Sequence, residues 1–255
     1  MQITITPIDS PLADVIREMA TGFDRSGLLL HDGRNQVRQI EADGTAYVVK
    51  RYHKLGWLKG LIYTFLRKTK AQRAYENALT LQERGIATPT PIAFALTKRR
   101  GLTEWAYFIS TPTDRQPIAP SLVGTPDFDK ALAHAYACFV AELHEKGIVH
   151  HDLNPTNVLY SRDEKGYLFE LIDINRMQFY TEHSIPKEVC MENLTRFWWL
   201  TPVYEYVLNA YAAARQWSDE DKERAIAVKK RHDRHWIRRK NFLSLLKHGH
   251  LKYKR

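Results

Sequence analysis

Apolar and polar positions alternate at short intervals along residues 28–52, "LLLHDGRNQVRQIEADGTAYVVKRY", and Asp32-Gly33 and Asp43-Gly44 interrupt the run. Short runs cut by Asp-Gly mark β-hairpins. The stretch therefore predicts three strands, with Lys50 near the end of the third. The period then changes. In "KAQRAYENALTLQER", residues 70–84, Ala71, Ala74, Ala78 and Leu81 fall on one helical face, and Gly85, Pro89 and Pro91 close the element. "WAYFIS", 105–110, predicts another strand, and the Thr/Pro/Gly-rich residues 111–126 predict a connector.

Beyond it, Leu132, Tyr136, Phe139, Val140 and Leu143 recur at helical spacing up to Gly147. A loop, "VHHDLNPTNVLY", follows, then the strand "YLFELID", 167–173. The rest reads as helices, including "KEVCMENLTRFWWL". Ser218 with Asp221 three residues on forms a capping-box start for the last of them. The order of elements predicts a two-lobed α+β fold. A strand-rich amino lobe with one main helix, 1–111, precedes a mainly helical carboxyl lobe, 112–255, and a cleft between lobes is the default binding site.

With 255 residues, 44% of them hydrophobic, the chain can bury an ordinary core. The opening residues lack the basic and apolar regions of a secretory signal, and no stretch reaches membrane-spanning length, so a cytoplasmic location is expected. Cys138 and Cys190, without C-x-x-C spacing, are expected to be small buried apolar residues. The net charge of +9 is uneven: residues 221–255 hold thirteen Lys or Arg against three Asp or Glu. Such a tail suits nucleic acid, an anionic membrane or an anionic substrate, or is a solvated helix face. No nucleic-acid recognition motif accompanies it, so nucleic acid is the weakest of these.

Candidate chemistry concentrates in the loop. In H-x-D-L-x-P-x-N, here His150, Asp152, Leu153, Pro155 and Asn157, the aspartate can take a hydroxyl proton while the asparagine amide oxygen faces a cation. Asp173, in "LIDIN", ends an apolar strand where a carboxylate can hold metal. "YVVK" puts Lys50 on a strand, and Glu76 on the following helix is its expected ion-pair partner. Neither H-E-x-x-H, G-x-S-x-G nor a Walker motif is present, and His144-Glu145 does not complete a zinc pattern.

These pieces, in this order, resemble the protein-kinase-like fold over about residues 28–210. "HDGRN", D-L-N-x-x-N and I-D-x-N-R within them are similar to the bacterial lipopolysaccharide core kinases, which phosphorylate Kdo or heptose. The resemblance implies ATP and Mg²⁺, with Asp152 as catalytic base, Asn157 and Asp173 as metal ligands, Lys50 on the phosphates and Glu76 orienting Lys50. It also implies a sugar or glycolipid acceptor at the inner membrane.

The departures narrow the reading. The first hairpin has one glycine, Gly33, in place of a glycine-rich cradle, and Arg34 or Asn35 can compensate. His151 stands where many protein kinases have arginine, Asn175 replaces the glycine of D-F-G, and no A-P-E follows. A protein kinase or other small-molecule phosphotransferase is the alternative, and a pseudokinase or anionic-surface binding module a third. Arg176 fits either an anionic substrate or a structural salt bridge. The stretch 54–70, "KLGWLKGLIYTFLRKTK", mixes bulky apolar residues with cations, as an interfacial helix on anionic lipid does or a helix packed on the amino lobe. With the basic tail it makes peripheral attachment to the inner membrane an expectation.

Overall fold

A computed structural model describes residues 2–7, 12–124, 127–248, 250, 251 and 253. The chain forms two compact units, Met1–Arg115 with Glu170–Arg176, and Gln116–Phe169 with Met177–Arg255. A single cut at 111 therefore differs from the observed division, because residues 170–176 return to the first unit. They are held there by Leu171 N–H donating to the Ala87 carbonyl at 3.0 Å, Thr88 Oγ1 to the Leu171 carbonyl at 2.8 Å and Asn77 Nδ2 to the Ile174 carbonyl at 2.7 Å.

The first unit is a six-stranded antiparallel sheet. It contains β1 (Gln2–Thr6), α1 (Ala13–Gly22), β2 (Leu28–Asp32), β3 (Gln36–Ala42), β4 (Thr45–Arg51), α2 (Trp57–Phe65), α3 (Lys70–Glu83), β5 (Pro91–Arg99) and β6 (Leu102–Ser110). The strand order is β1-β5-β6-β4-β3-β2. The predicted hairpins are present. Asp43 and Gly44, with φ of 50° and 71°, supply the two left-handed positions that a tight hairpin needs.

Alternation along β4 decides which side chains meet which helix. Tyr47, Val49 and Arg51 are buried on one face. Tyr47 and Val49 join Ile16, Met19 and Phe23 from α1 and the turn after it. Arg51 lies between the rings of Phe23 and Trp105, at 4.3 and 4.4 Å, and pairs with Asp24. The opposite parity therefore sends Lys50 and Tyr52 to the other face, where Tyr52 packs with Ala71, Phe94 and Ala106. The helix α3 starts where Thr69 Oγ1 accepts from Gln72 N–H at 3.2 Å, and it buries Ala71, Ala74, Ala78 and Leu81 as expected.

To the one main helix expected in this unit the structure adds α1, and the stretch 54–70, expected as a helix on lipid or on the amino lobe, contains α2. Alpha-helix α2 is oriented unusually. Gly60 faces the sheet, and a Cβ there would lie 2.8 Å from the Thr103 carbonyl oxygen. Thr64 Oγ1 meets Thr103 Oγ1 at 3.0 Å. The small residues thus face inward.

The second unit contains β7 (Gln116–Pro117), α4 (Ala119–Leu122), α5 (Lys130–Glu145), β8 (Ile148–His150), β9 (Val158–Asp163), the start of β10 (Gly166–Leu171), β11 (Met177–Phe179), α6 (Lys187–Leu194), α7 (Pro202–Ala214) and α8 (Asp219–His248). The expected connector 111–126 thus includes a short strand and a helical turn before residues 125 and 126, which lie outside the described residues. Asp129 caps α5 by accepting from Leu132 N–H at 2.9 Å, and all five apolar positions predicted for α5 are buried. The helix over "KEVCMENL" stops at Leu194 instead of continuing to Leu200. Ser218 and Asp221 form the reciprocal capping box, each side chain accepting from the other's backbone N–H at 3.2 Å.

One sequence expectation is corrected here. Cys190 is buried, but Cys138 is exposed on α5, because its position falls outside the apolar stripe of that helix. In the basic tail, Trp236 is packed edge-on against Trp199 at 4.8 Å and Tyr253 at 5.1 Å, while Phe242 and Leu246 are exposed. Among the described residues, no helix is long and apolar enough to cross a membrane.

Candidate active site

The parity of β4 places Lys50 beside Asp173, which the chain carries back into the first unit. Lys50 Nζ donates to Asp173 Oδ1 at 2.5 Å, and Asn175 Nδ2 donates to the same oxygen at 2.8 Å. Asp173 adopts φ 55°, a left-handed conformation that costs free energy in most L-residues and that aspartate tolerates better than most.

The surroundings of this pair are cationic. Lys50 Nζ and Lys70 Nζ both lie over the Tyr52 ring, at 5.4 and 5.9 Å. A concavity lined by Arg34, Tyr52, His53, Lys54 and Lys70 opens there. Burial pulls the Lys70 ammonium below its ordinary range, and the nearby positive charges of Arg34, Arg176 and Arg73 pull the same way against Asp173. Burial, together with the Asp173 charge, holds the Tyr52 hydroxyl protonated. Arg73 Nε is buried without a hydrogen-bond partner. Several cations around one carboxylate leave an excess of positive charge suited to phosphate oxygens.

Glu76 is not in this cluster. Its carboxylate accepts from Lys68 Nζ at 2.8 Å and Gln72 Nε2 at 3.2 Å, so the expected Lys50–Glu76 pair is replaced by Lys50–Asp173. The reason is helical phase. Glu76 stands two residues past Ala74, about 200° round a helix of 3.6 residues per turn, so burying Ala74 turns Glu76 outward. Positions 70, 73 and 77 face the site instead, and the sequence reading did not single out Lys70, Arg73 or Asn77.

In the turn between β2 and β3, Gly33 N–H donates to the Asn35 carbonyl at 3.3 Å, and Asn35 Oδ1 accepts from His53 N–H at 3.2 Å. Arg34 contributes to the cationic concavity, whereas Asn35 braces the turn. Arg176 acts electrostatically on Lys70, and no acidic partner pairs with it among the described residues.

The second unit holds the H-x-D-L-x-P-x-N loop. It leaves β8, which pairs antiparallel with β11 through His150 and Met177. Leu153 is buried as the loop's anchor. The Asp152 carbonyl is the hub: Asn154 N–H donates to it at 2.8 Å and Asn157 Nδ2 at 2.9 Å. Because the Asn157 amide nitrogen is committed to that carbonyl, its Oδ1 points the other way, oriented as a hard oxygen ligand.

Beneath the loop is a buried polar chain that the sequence reading missed. Asn193 Nδ2 donates to the His150 carbonyl at 2.7 Å, which leaves Asn193 Oδ1 facing His144 Nε2 at 2.9 Å. An amide oxygen only accepts, so Nε2 carries the proton and Nδ1 accepts from the Tyr211 hydroxyl at 2.7 Å. Burial depresses His144 to about 4, so this imidazole is neutral. His150 is buried, and its Nδ1 accepts from Asp152 N–H at 3.1 Å. His151 is exposed and meets Gln178 Oε1 at 2.9 Å. No group of three His, Cys, Asp or Glu side chains able to hold a metal gathers among the described residues. Asp152, Asn157 and Asp173 offer carboxylate and amide oxygens, a donor set that suits Mg²⁺.

A lysine paired with a strained aspartate, and a separate loop presenting an aspartate and an asparagine, belong to the phosphotransferases of the protein-kinase-like fold. The solved structure of WaaP in complex with acyl carrier protein has the same fold, with a TM-score of 0.58, 17% identity, and coverage of 91% of this chain and 98% of that one. The Rio2 kinase of Chaetomium thermophilum, solved with ADP, Mg²⁺ and phosphoaspartate, matches over 85% of this chain and 75% of that one at a TM-score of 0.42 and 17% identity. No curated protein matches the chain by sequence. The model of the lipopolysaccharide kinase (Kdo/WaaP) family matches residues 31–228. The chain belongs to that family, and it is a kinase.

Proposed function

We propose that this enzyme transfers the γ-phosphoryl group of ATP to a hydroxyl of an inner-core sugar of lipopolysaccharide, Kdo or heptose. The observation that carries the reading is the Lys50–Asp173 pair, with Asp173 in a left-handed conformation inside the family-matched segment. In the proposed reaction Asp152 accepts the proton of the acceptor hydroxyl. The hydroxyl oxygen attacks the γ-phosphorus, the bond from that phosphorus to the β–γ bridging oxygen breaks, and ADP leaves. Lys50 exchanges Asp173 for phosphate oxygens when nucleotide binds. Arg34, Lys70 and Arg73 supply charge that a glycine-rich cradle supplies elsewhere through backbone N–H groups.

Asn157 and Asp173 are the residues that would hold Mg²⁺, which when bound neutralises charge on the transferred phosphoryl group. Glu76 has no part in this mechanism. A sugar acceptor is favoured over a peptide by the short run between β11 and α6, residues 180–186, which leaves little chain for a peptide-docking segment. A lipid-linked acceptor places the enzyme at the cytoplasmic face of the inner membrane. Labelled ATP offered with purified core glycolipid and, separately, with cell protein tests the acceptor. Label in the glycolipid is expected, and label solely in protein would replace the sugar reading with the protein-kinase one.

A further inference from the structure

A surface helix of a globular protein normally turns its apolar stripe inward and its polar side to water. Alpha-helix α2 reverses this. Its inward side is Gly60 and Thr64, seated against Thr103 of β6. At 100° per residue, Trp57, Leu58, Leu61 and Phe65 fall within an arc of about 100° that flanks this inward strip, and all four side chains are exposed. Trp57 is 76% exposed, Phe65 70%, and Leu66, just beyond the helix end, 76%. A contiguous aromatic and aliphatic ridge pointing at solvent costs free energy unless something covers it.

The charge around the ridge identifies what does. No Asp or Glu occurs between Asp43 and Glu76, while Lys54, Lys59, Arg67, Lys68, Lys70 and Arg73 all fall in that interval. Lys59 and Arg67 are exposed beside the ridge. Lys54 and Lys68 pair with Glu104 and Glu76, whereas Lys59 and Arg67 have no acidic partner among the described residues. A tryptophan and a phenylalanine on an exposed ridge flanked by these two cations match the interface of an anionic bilayer. There the rings enter the headgroup boundary and the cations meet lipid phosphates. We infer that the outward face of α2 docks the first unit on an anionic phospholipid surface, with Trp57, Leu61, Phe65 and Leu66 inserted and Lys59 and Arg67 on the headgroups. Two structural facts decide between the alternatives left open by the sequence: the helix is seated on the sheet through Gly60 and Thr64, and Trp57, Leu58, Leu61 and Phe65 stay exposed instead of entering the core.

The inference depends on neither the acceptor sugar nor Asp152. Flotation of the full chain with phosphatidylcholine vesicles, with and without phosphatidylglycerol, tests it. The wild-type chain is expected to float with the anionic vesicles and to be released as salt rises. Trp57→Ser/Phe65→Ser is expected to lose most of that binding while keeping its melting temperature and its activity on a soluble acceptor. Lys59→Gln and Arg67→Gln are each expected to lower the vesicle partition coefficient about fivefold, from about 1 kcal/mol per cation near such a surface. Equal flotation of wild type and both sets of variants would overturn the inference and assign any binding to another surface, such as the exposed Phe242 and Leu246 of α8. Absence of flotation, with self-association of wild type abolished by Trp57→Ser/Phe65→Ser, would overturn it in favour of a second copy of the chain. A chain that floats but transfers no phosphate would leave this inference standing and remove the kinase reaction, so the two failures are distinguishable.

Discussion

Asn193→Leu isolates the buried chain beneath the catalytic loop. Asn193 is 4% exposed, and it is the link between the His144 ring and the His150 carbonyl, both fully buried. Leucine preserves the volume approximately but leaves the His144 Nε2–H and the His150 carbonyl without partners. Each buried group left unsatisfied costs about 1–3 kcal/mol, and the surroundings relax in part, so the expected destabilisation is about 3 kcal/mol. At a slope of ~2 kcal/mol per molar urea, the unfolding midpoint falls by about 1.5 M. The His150 carbonyl is two residues before Asp152, so freeing it loosens the loop that holds the base. The expected kinetic signature is a kcat about tenfold lower with KM for ATP nearly unchanged. A midpoint shift equivalent to less than about 0.5 kcal/mol, with unchanged kcat, would refute the claim that this chain fixes the loop.

Three further outcomes follow from particular contacts. His144 is held neutral, its pKa lowered from 6.5 to about 4, so its contribution to stability is fully present above about pH 6.5 and is lost as pH falls toward 4. The loss reaches about 3 kcal/mol, and urea midpoints measured across that range should fall less steeply in His144→Gln than in wild type. Glu76→Gln should change stability by less than about 1 kcal/mol and phosphotransfer by less than about twofold, because it disturbs an exposed pair with Lys68 and a hydrogen bond from Gln72, neither of which touches Lys50. A hundredfold loss would show that Glu76 reaches Lys50 in the working enzyme. Gly60→Val should lower stability by about 1–3 kcal/mol, since even its Cβ meets the Thr103 carbonyl at 2.8 Å. An unchanged thermal midpoint would mean that α2 is not seated through Gly60.

Local periodicity and turn chemistry made most of the fold readable before any coordinates. The Asp43-Gly44 hairpin, the alanine face of α3, the five apolar positions of α5 and the Ser218–Asp221 box each rest on neighbours in sequence, and each forms as expected. Alpha-helix α1 and strands β1 and β5 were not anticipated. Their apolar residues, such as Ile5, Ile16 and Ala93, acquire meaning only when distant segments close one core.

The candidate site divides along the same line. Asp152 and Asn157 share one loop motif, so their spacing was informative. The partner of Lys50 was a question of distance in the chain and of helical phase. The alanine face that correctly located α3 already excluded Glu76 from the Lys50 side, and extending that phase to positions 70, 73 and 77 would have pointed to Lys70, Arg73 and Asn77. The Tyr211–His144–Asn193 brace had no such signal, because three polar residues on three helices announce nothing until the helices pack. Likewise, the composition of 54–70 fitted two orientations, and only the contact of Gly60 with β6 separates them.

The most direct measurement is single-turnover phosphate transfer from labelled ATP to core glycolipid by wild type and Asp152→Asn, with nucleotide affinity measured in parallel. With Asp152 as the base, transfer falls by about 10²- to 10⁴-fold while ATP binding through Lys50 and its neighbours changes little. Transfer at the wild-type rate by Asp152→Asn would contradict the account.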